Sequence, residues 1–329
     1  KGFLRPLLTD AARKVGKAGK EGKARRIPRV LSTSMEHNAV VRPLRSLEEE
    51  GVSAVFLECG PDGSLSTDLL EKTLGEENFD LMVLSHASNV CGTIQPLEKI
   101  AELCRKANLP LVLDAAQTAG ILPLSAAELG LGALCFAGHK GLMGPQGIGG
   151  ILWNPYFASR VAPLVEGGTG SYSHVETQPS DMPDKFEAGT PNLPGIAGLR
   201  AALEWLDEKG IGEVEKRERE LGERFLKGSR ETEGVLLYGK PTMERRLPVF
   251  SVNFLDASGG FQDNGLLADR LADTCMGFET RPGLHCSPLA HRTLGTFPQG
   301  SLRVSPGYFN KPEEIDAFWE AVRICTGRN

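Results

Sequence analysis

No apolar run in this chain is long enough to cross a bilayer as a helix. The seven cysteines, Cys59, Cys91, Cys104, Cys135, Cys275, Cys286 and Cys325, are odd in number and form no CxxC pair. That speaks against a disulfide framework and against a zinc site, and no metal is expected. It favours free thiols in a reducing compartment, so the expected location is cytoplasmic. Neither sign of charge dominates: 37 Lys and Arg stand against 42 Asp and Glu, a net charge of −5, which argues against broad nucleic-acid binding. No internal repeat is visible.

What is present is ordinary for a soluble globular protein, with 40% hydrophobic and 24% charged residues. The 329 residues are enough for two domains. The chain begins at Lys1, and "KGFLRPLL" reads as the end of a helix already under way. An upstream segment, with any targeting signal it carried, is therefore expected outside this sequence. Residues 9–29 hold eight basic and two acidic residues, a local charge of +6 that leaves −11 on the rest. No aromatics interleave these charges, so the tract reads as a solvated loop rather than a nucleic-acid site.

Beyond it, short apolar runs alternate with helix-like segments. "RVLST" (29–33), "SAVFL" (53–57), "LMVLS" (81–85), "PLVLD" (110–114), "ALCFA" (133–137) and "GGILW" (149–153) suit strands buried on both faces. Between two of them, Leu97, Ile100, Ala101 and Cys104 fall at i, i+3, i+4 and i+7 behind Pro96. Such alternation predicts a mostly parallel sheet with helices on both faces, and a ligand at the carboxyl ends of its strands. Residues 193–233 read as helix broken at "KGIG" (209–212). Runs at 247–255, 265–274, 301–307 and 312–325 suggest a smaller α+β domain. The expected division is 1–208 and 209–329.

One lysine, Lys140, stands in "CFAGHKGLMGPQGIGG" (135–150). This is no P-loop, because His139 precedes the lysine and Gly141 follows it. Nor is it a dinucleotide fingerprint, because the glycines lead into a strand rather than opening a helix. Asp114 ends "PLVLD" and Lys140 lies just past "ALCFA". A carboxylate at one strand end can keep a pyridine nitrogen protonated, and an amine at another can condense with an aldehyde. Together they make the protein half of a pyridoxal-phosphate site. An aspartate alone at a strand end more often caps a helix or pairs with a base.

Six stretches in order sharpen this: "TSMEHNAVVRPL" (33–44), "SHASNVCGTIQPL" (85–97), "LVLDAAQTAG" (111–120), "AGHKGLMGPQGIG" (137–149), "FEAGTPNLPG" (186–195) and "RPGLHCSPLAHR" (281–292). The chain resembles the class V aminotransferase-fold family over nearly its whole length. Within that family it is similar to the cysteine desulfurases and selenocysteine lyases, with a Cys286 motif like that of the shorter-loop desulfurases. The resemblance implies pyridoxal-phosphate fold type I, an α/β architecture, and a homodimer with shared sites. It implies that His37 stacks on the cofactor ring and shuttles protons, and that Asn89 lies beside ring and substrate. Asp114 would pair with the ring nitrogen, Gln117 with the ring hydroxyl oxygen, and His139 with the phosphate. Lys140 would be the carrier lysine and base, and Thr190 would reach the neighbouring subunit's phosphate. Arg303 would clamp the substrate carboxylate and Cys286 would attack the substrate sulfur. The other six cysteines read as small buried hydrophobes.

The implied reaction takes L-cysteine to L-alanine and leaves a persulfide on Cys286, for transfer to an acceptor protein. L-selenocysteine cleavage, transamination, and a non-catalytic scaffold or partner subunit remain open alternatives. Two departures from the family pattern bear on cofactor grip. The Gly/Thr phosphate-binding turn expected shortly before "KGFL" is not in the sequence, and Ala137 stands where a hydroxyl is common. A partly cofactor-free protein is the expectation.

Overall fold

Six short strands form the larger sheet of this computed structural model, which describes residues 1–8, 27–256 and 258–327. They are β1 (Arg29–Thr33), β2 (Ser53–Leu57), β3 (Leu81–Ser85), β4 (Leu111–Asp114), β5 (Ala133–Ala137) and β6 (Gly149–Trp153). Their order is β2-β1-β3-β4-β5-β6. The first five run parallel and β6 runs antiparallel to β5. Helices α1 (Asn38–Glu49), α2 (Thr67–Glu76) and α3 (Leu97–Lys106) carry the crossovers. The periodicity of α3 does what its spacing predicts: Leu97, Ile100, Ala101 and Cys104 are buried. The sheet separates two apolar cores, one holding Leu31, Met82, Leu84 and Leu113. The other holds Val30, Leu47, Leu81 and Ala133. The basic tract of residues 9–29 lies outside the described residues except for its last three.

Strand β6 is paired on one side only among the described residues. Ile151 and Leu152 on it are 43% and 55% exposed, although they sit in a glycine-led apolar run.

After the short α4 (Pro155–Ser159), α5 (Leu193–Lys209) meets α6 (Ile211–Glu231) at Gly210. Gly210 has φ +81°, which favours glycine, and this is the break read in "KGIG". A second, antiparallel sheet follows in the order β7-β8-β10-β9. Its strands are β7 (Val235–Tyr238), β8 (Phe250–Phe254), β9 (Arg281–Gly283) and β10 (Ser301–Val304). Helices α7 (Asn264–Ala272), α8 (Pro288–Thr293) and α9 (Pro312–Thr326) complete the region. The sequence pattern does not single out β7 or β9. The first has four residues; the second has three with a central proline, a composition confined to sheet edges.

Phe225 of α6 anchors this second core. It is fully buried, 4.1 Å from the Phe250 ring and 4.8 Å from Trp319. Phe225→Ala should therefore lower unfolding stability by about 3–5 kcal/mol in urea titration. A loss below about 1 kcal/mol would mean that this stack does not hold the second sheet in place.

Candidate active site

The carboxyl ends of β1, β3, β4 and β5 lie side by side, and the groups with chemistry gather there. Ser85 pairs in register with Asp114, and Asp114 with Cys135. A cavity of about 880 Å³ opens at these ends. His37, Asn89, Asp114, Gln117, His139 and Lys140 all line it. From there it runs along the apolar sheet face past Val83, Val112 and Phe157.

Lys140 is fixed relative to Asp114 by backbone contact. The turn after Asp114 reaches Gly120, where a Cβ would stand 2.3 Å from the Gly141 carbonyl oxygen. Gly120 also has φ +86°. A side chain there would strain the backbone and push apart the turn after Asp114 and the turn after Lys140. Directly behind the lysine, a Cβ on Gly141 would stand 2.7 Å from the Ala119 carbonyl oxygen, so both sides of this contact require glycine. Asp114 accepts from the Ala116 N–H at 2.9 Å through Oδ1, leaving Oδ2 without a protein donor among the described residues. The Lys140 ammonium is held below its usual range, chiefly by burial, with Arg303 adding to the effect and Asp114 opposing it.

His37 caps α1: its Nδ1 accepts from the Ala39 N–H at 3.0 Å. This leaves the proton on Nε2 in the neutral ring and fixes the ring plane at the cavity wall. Burial pulls its pKa down, and Lys140 adds to that. The histidine thus caps a helix and faces the cavity at once.

Arg303 and Cys286 stand beside the cavity rather than among its lining residues. Asn38, next to His37, donates its N–H to the Cys286 carbonyl at 2.8 Å. Cys286 is exposed, as is Cys275, whereas Cys59, Cys91 and Cys104 are buried. Arg303 Nη1 donates to the Asn89 carbonyl at 3.1 Å. Thr190 is exposed and does not line the cavity.

Two site residues escape the sequence reading. Arg281 Nη2 lies 3.8 Å from Cys286 Sγ, a fixed positive charge beside the sulfur. It opens the motif that contains Cys286, and only the pairing of β9 with β10 reveals its direction. Glu36 is fully buried and accepts from the Thr33 hydroxyl at 2.7 Å, the Ser85 N–H and the Ser85 hydroxyl at 2.6 Å. It ties the ends of β1 and β3 together. Burial pushes its pKa up to about 7 against these donors.

This α/β architecture, with a lysine and a carboxylate at neighbouring strand ends, defines a class. The model of the aminotransferase class-V family matches residues 16–318, and the chain belongs to that family. Among curated relatives, a probable cysteine desulfurase of Halalkalibacterium halodurans is 31% identical over 294 residues, 88% of this chain and 68% of that one. Another, of Pyrococcus abyssi, is 29% identical over 88% of this chain and 70% of the relative. Among solved structures, the apo cysteine desulfurase from Thermococcus onnurineus NA1 superposes with TM-score 0.81 at 27% identity, covering 99% of this chain and 78% of that one. The Escherichia coli cysteine desulfurase CsdA shares the fold, with TM-score 0.79 at 24% identity over 97% of this chain and 77% of that one. The fold is that of type I pyridoxal-phosphate enzymes, and members of the family use that cofactor.

The residues present fit the group. A free carboxylate oxygen on Asp114, an amine on Lys140, an imidazole wall at His37 and an amide at Gln117 converge on one cavity. They match, in turn, a ring nitrogen, an aldehyde, a ring face and a phenolic oxygen. Ala137 offers only a methyl group at the cavity.

The buried titratable groups set the acid response of the fold. Burial lowers His285 to about 3, and His86 and His291 to about 4. Their stabilising effect is complete above the unfolded histidine value and fades as pH falls below it, because only the unfolded chain then takes up protons. Glu36 and Glu218 are raised by burial to about 7 and act oppositely, losing stabilisation as pH rises from about 4.5 to 7. Urea midpoints should therefore peak near pH 6.5. The unfolding free energy from these titrations should fall by about 1–2 kcal/mol per pH unit towards pH 4, and less steeply below it as the buried histidines themselves take up protons. A flat profile from pH 6.5 to 4 would contradict the burial of these histidines.

Proposed function

We propose that this protein is a pyridoxal-phosphate-dependent cysteine desulfurase. It converts L-cysteine to L-alanine and carries the sulfur as a persulfide on Cys286. One observation carries this: an exposed cysteine, with Arg281 3.8 Å from its sulfur, is hydrogen-bonded through its backbone to the residue after His37, at the wall of the cavity that holds Lys140 and Asp114. Transamination has no use for such a thiol.

Lys140 and Asp114 would hold the cofactor, with His37 against its ring, Gln117 at its oxygen and His139 at its phosphate. When bound, pyridoxal phosphate supplies an electron sink for the substrate carbon. Arg303 binds the substrate carboxylate; its planar fork suits that group. The lowered pKa of Lys140 makes its neutral amine, the form that accepts a proton from the substrate Cα, easier to reach. The Cys286 sulfur takes the substrate sulfur, the Cβ–S bond breaks, and a proton returns to carbon. Cysteine plus thiol thus becomes alanine plus persulfide, in balance. Seven free cysteines support a reducing, cytoplasmic location, and the exposure of Cys286 supports onward transfer of its sulfur to an acceptor protein.

Lys140→Ala should abolish both the visible absorption of bound cofactor and its covalent fixation by borohydride. Cys286→Ser should keep the visible band and lose cysteine turnover at least a hundredfold, because a serine oxygen cannot carry the persulfide. Full turnover by Cys286→Ser would eliminate the proposed reaction, and activity on selenocysteine alone would redirect it to selenium.

We further propose a homodimer in which Thr190 reaches the neighbouring site. Its exposure supports this, as does the exposed apolar face of α5, where Leu193 and Ile196 are 64% and 46% exposed. Thr190→Ala should weaken cofactor binding about tenfold without changing the elution volume, since one charge-assisted hydrogen bond is worth about 1.5–3 kcal/mol. A monomer that binds cofactor fully at low micromolar protein would count against the shared site.

A further inference from the structure

The nucleophile candidate sits in an improbable turn. His285 and Cys286 have φ of +50° and +60°, consecutive left-handed residues with no glycine between them. The Ser287 N–H donates to the Leu284 carbonyl at 2.9 Å and closes the turn around them. Two positive φ values inside one such turn match the type I′ form, which normally takes Asn-Gly or Asp-Gly. A histidine is tolerated there more often than most residues, but a cysteine following it in the same backbone needs an external hold.

Asn89 supplies that hold. Its side chain is buried, and both polar atoms are committed to the residues flanking Cys286. Asn89 Nδ2 donates to the His285 carbonyl at 2.8 Å. The Ser287 hydroxyl donates to Asn89 Oδ1, also at 2.8 Å. The orientation of the amide is fixed by chemistry, since a carbonyl can only accept and so must face the NH₂ end. The Asn89 carbonyl in turn accepts from Arg303. One residue of the large-sheet loop thus straddles the turn from the second sheet and touches the substrate-clamp candidate.

We infer that Asn89 is a positioning residue for Cys286. It locks the left-handed turn so that Sγ stays beside Arg281 and at the edge of the cavity. One Nδ2 hydrogen and one Oδ1 lone pair remain beyond these two bonds, and Asn89 also lines the cavity, so the hold is compatible with the expected place beside the cofactor ring. The catalytic meaning of this hold rests on the desulfurase activity proposed above; the hold itself does not.

The test compares wild type, Asn89→Ala, Ser287→Ala and Cys286→Ser as cofactor-loaded proteins. The rate of Cys286 alkylation by iodoacetamide, read by peptide mass without any amino-acid substrate, reports the turn alone. Cysteine turnover reports its use. Asn89→Ala should slow alkylation at least fivefold and lower kcat at least tenfold. KM should stay within threefold and the visible cofactor band should be intact. Ser287→Ala, which removes one of the two contacts, should give an intermediate loss in both. In Asn89→Ala, a further His285→Gly change should restore much of the alkylation rate, because glycine adopts the left-handed region without steric cost. Alkylation and kcat within twofold of wild type in Asn89→Ala would overturn the assignment. So would loss of the cofactor band with alkylation unchanged, which would return Asn89 to the cofactor. Should Asn89→Ala fail to fold, an unchanged alkylation rate in Ser287→Ala overturns it equally. If wild type turns over no cysteine while alkylation still slows in Asn89→Ala, the desulfurase activity is refuted and the hold stands.

Discussion

The near-contact between Gly120 and the Gly141 carbonyl is the constraint on which the site depends. Neither Lys140 nor Asp114 reaches the other through a side-chain bond. Their relation is set by two backbones pressed together beyond the ends of β4 and β5, closer than any Cβ would allow. The strands deliver the two residues to one edge, and the glycine contact fixes how far apart they stay. Everything placed around them, from the His37 cap to the Gln117 amide, is positioned relative to that pair.

A charge asymmetry follows. The chain as a whole is negative, yet Lys140, Arg281 and Arg303 converge near the cavity, and Asp114 is the acidic group that bears on Lys140. Desolvation at Lys140 and Arg303 makes these two charges act more strongly, while Arg281 stands exposed beside them. Such a site favours a ligand that arrives with anionic groups, a phosphate or a carboxylate, and whose binding relieves the repulsion among the cations. Buried Glu36 adds a proton-holding group behind Asp114 rather than a second open anion.

Most of the large sheet was legible in the sequence because continuous apolar runs mark its strands; burial on both faces follows for β1 and β3, whereas β6 carries the same run and is largely exposed. The break at Gly210 was legible for the same kind of reason, one residue with one permitted backbone. Lys140, Asp114 and Cys286 could be picked out through their motifs. Their neighbours could not. Arg281 acquires its direction only from the pairing of β9 with β10, and β9 is too short and too proline-bound to be read. Asn89 was singled out in a polar stretch, but its partners, His285 and Ser287, are nearly two hundred positions away. Spacing along a chain carries no information about such a contact.

Strand β6 has a consequence for handling the protein. Among the described residues its outer edge offers a row of unpaired backbone donors and acceptors beside exposed Ile151 and Leu152, without the lysines, prolines or bulges that blunt natural edges. A bare edge of this kind is a template: whichever extended chain meets it first is welcomed as the next strand. High concentration therefore favours pairing of a second copy of the chain along that row.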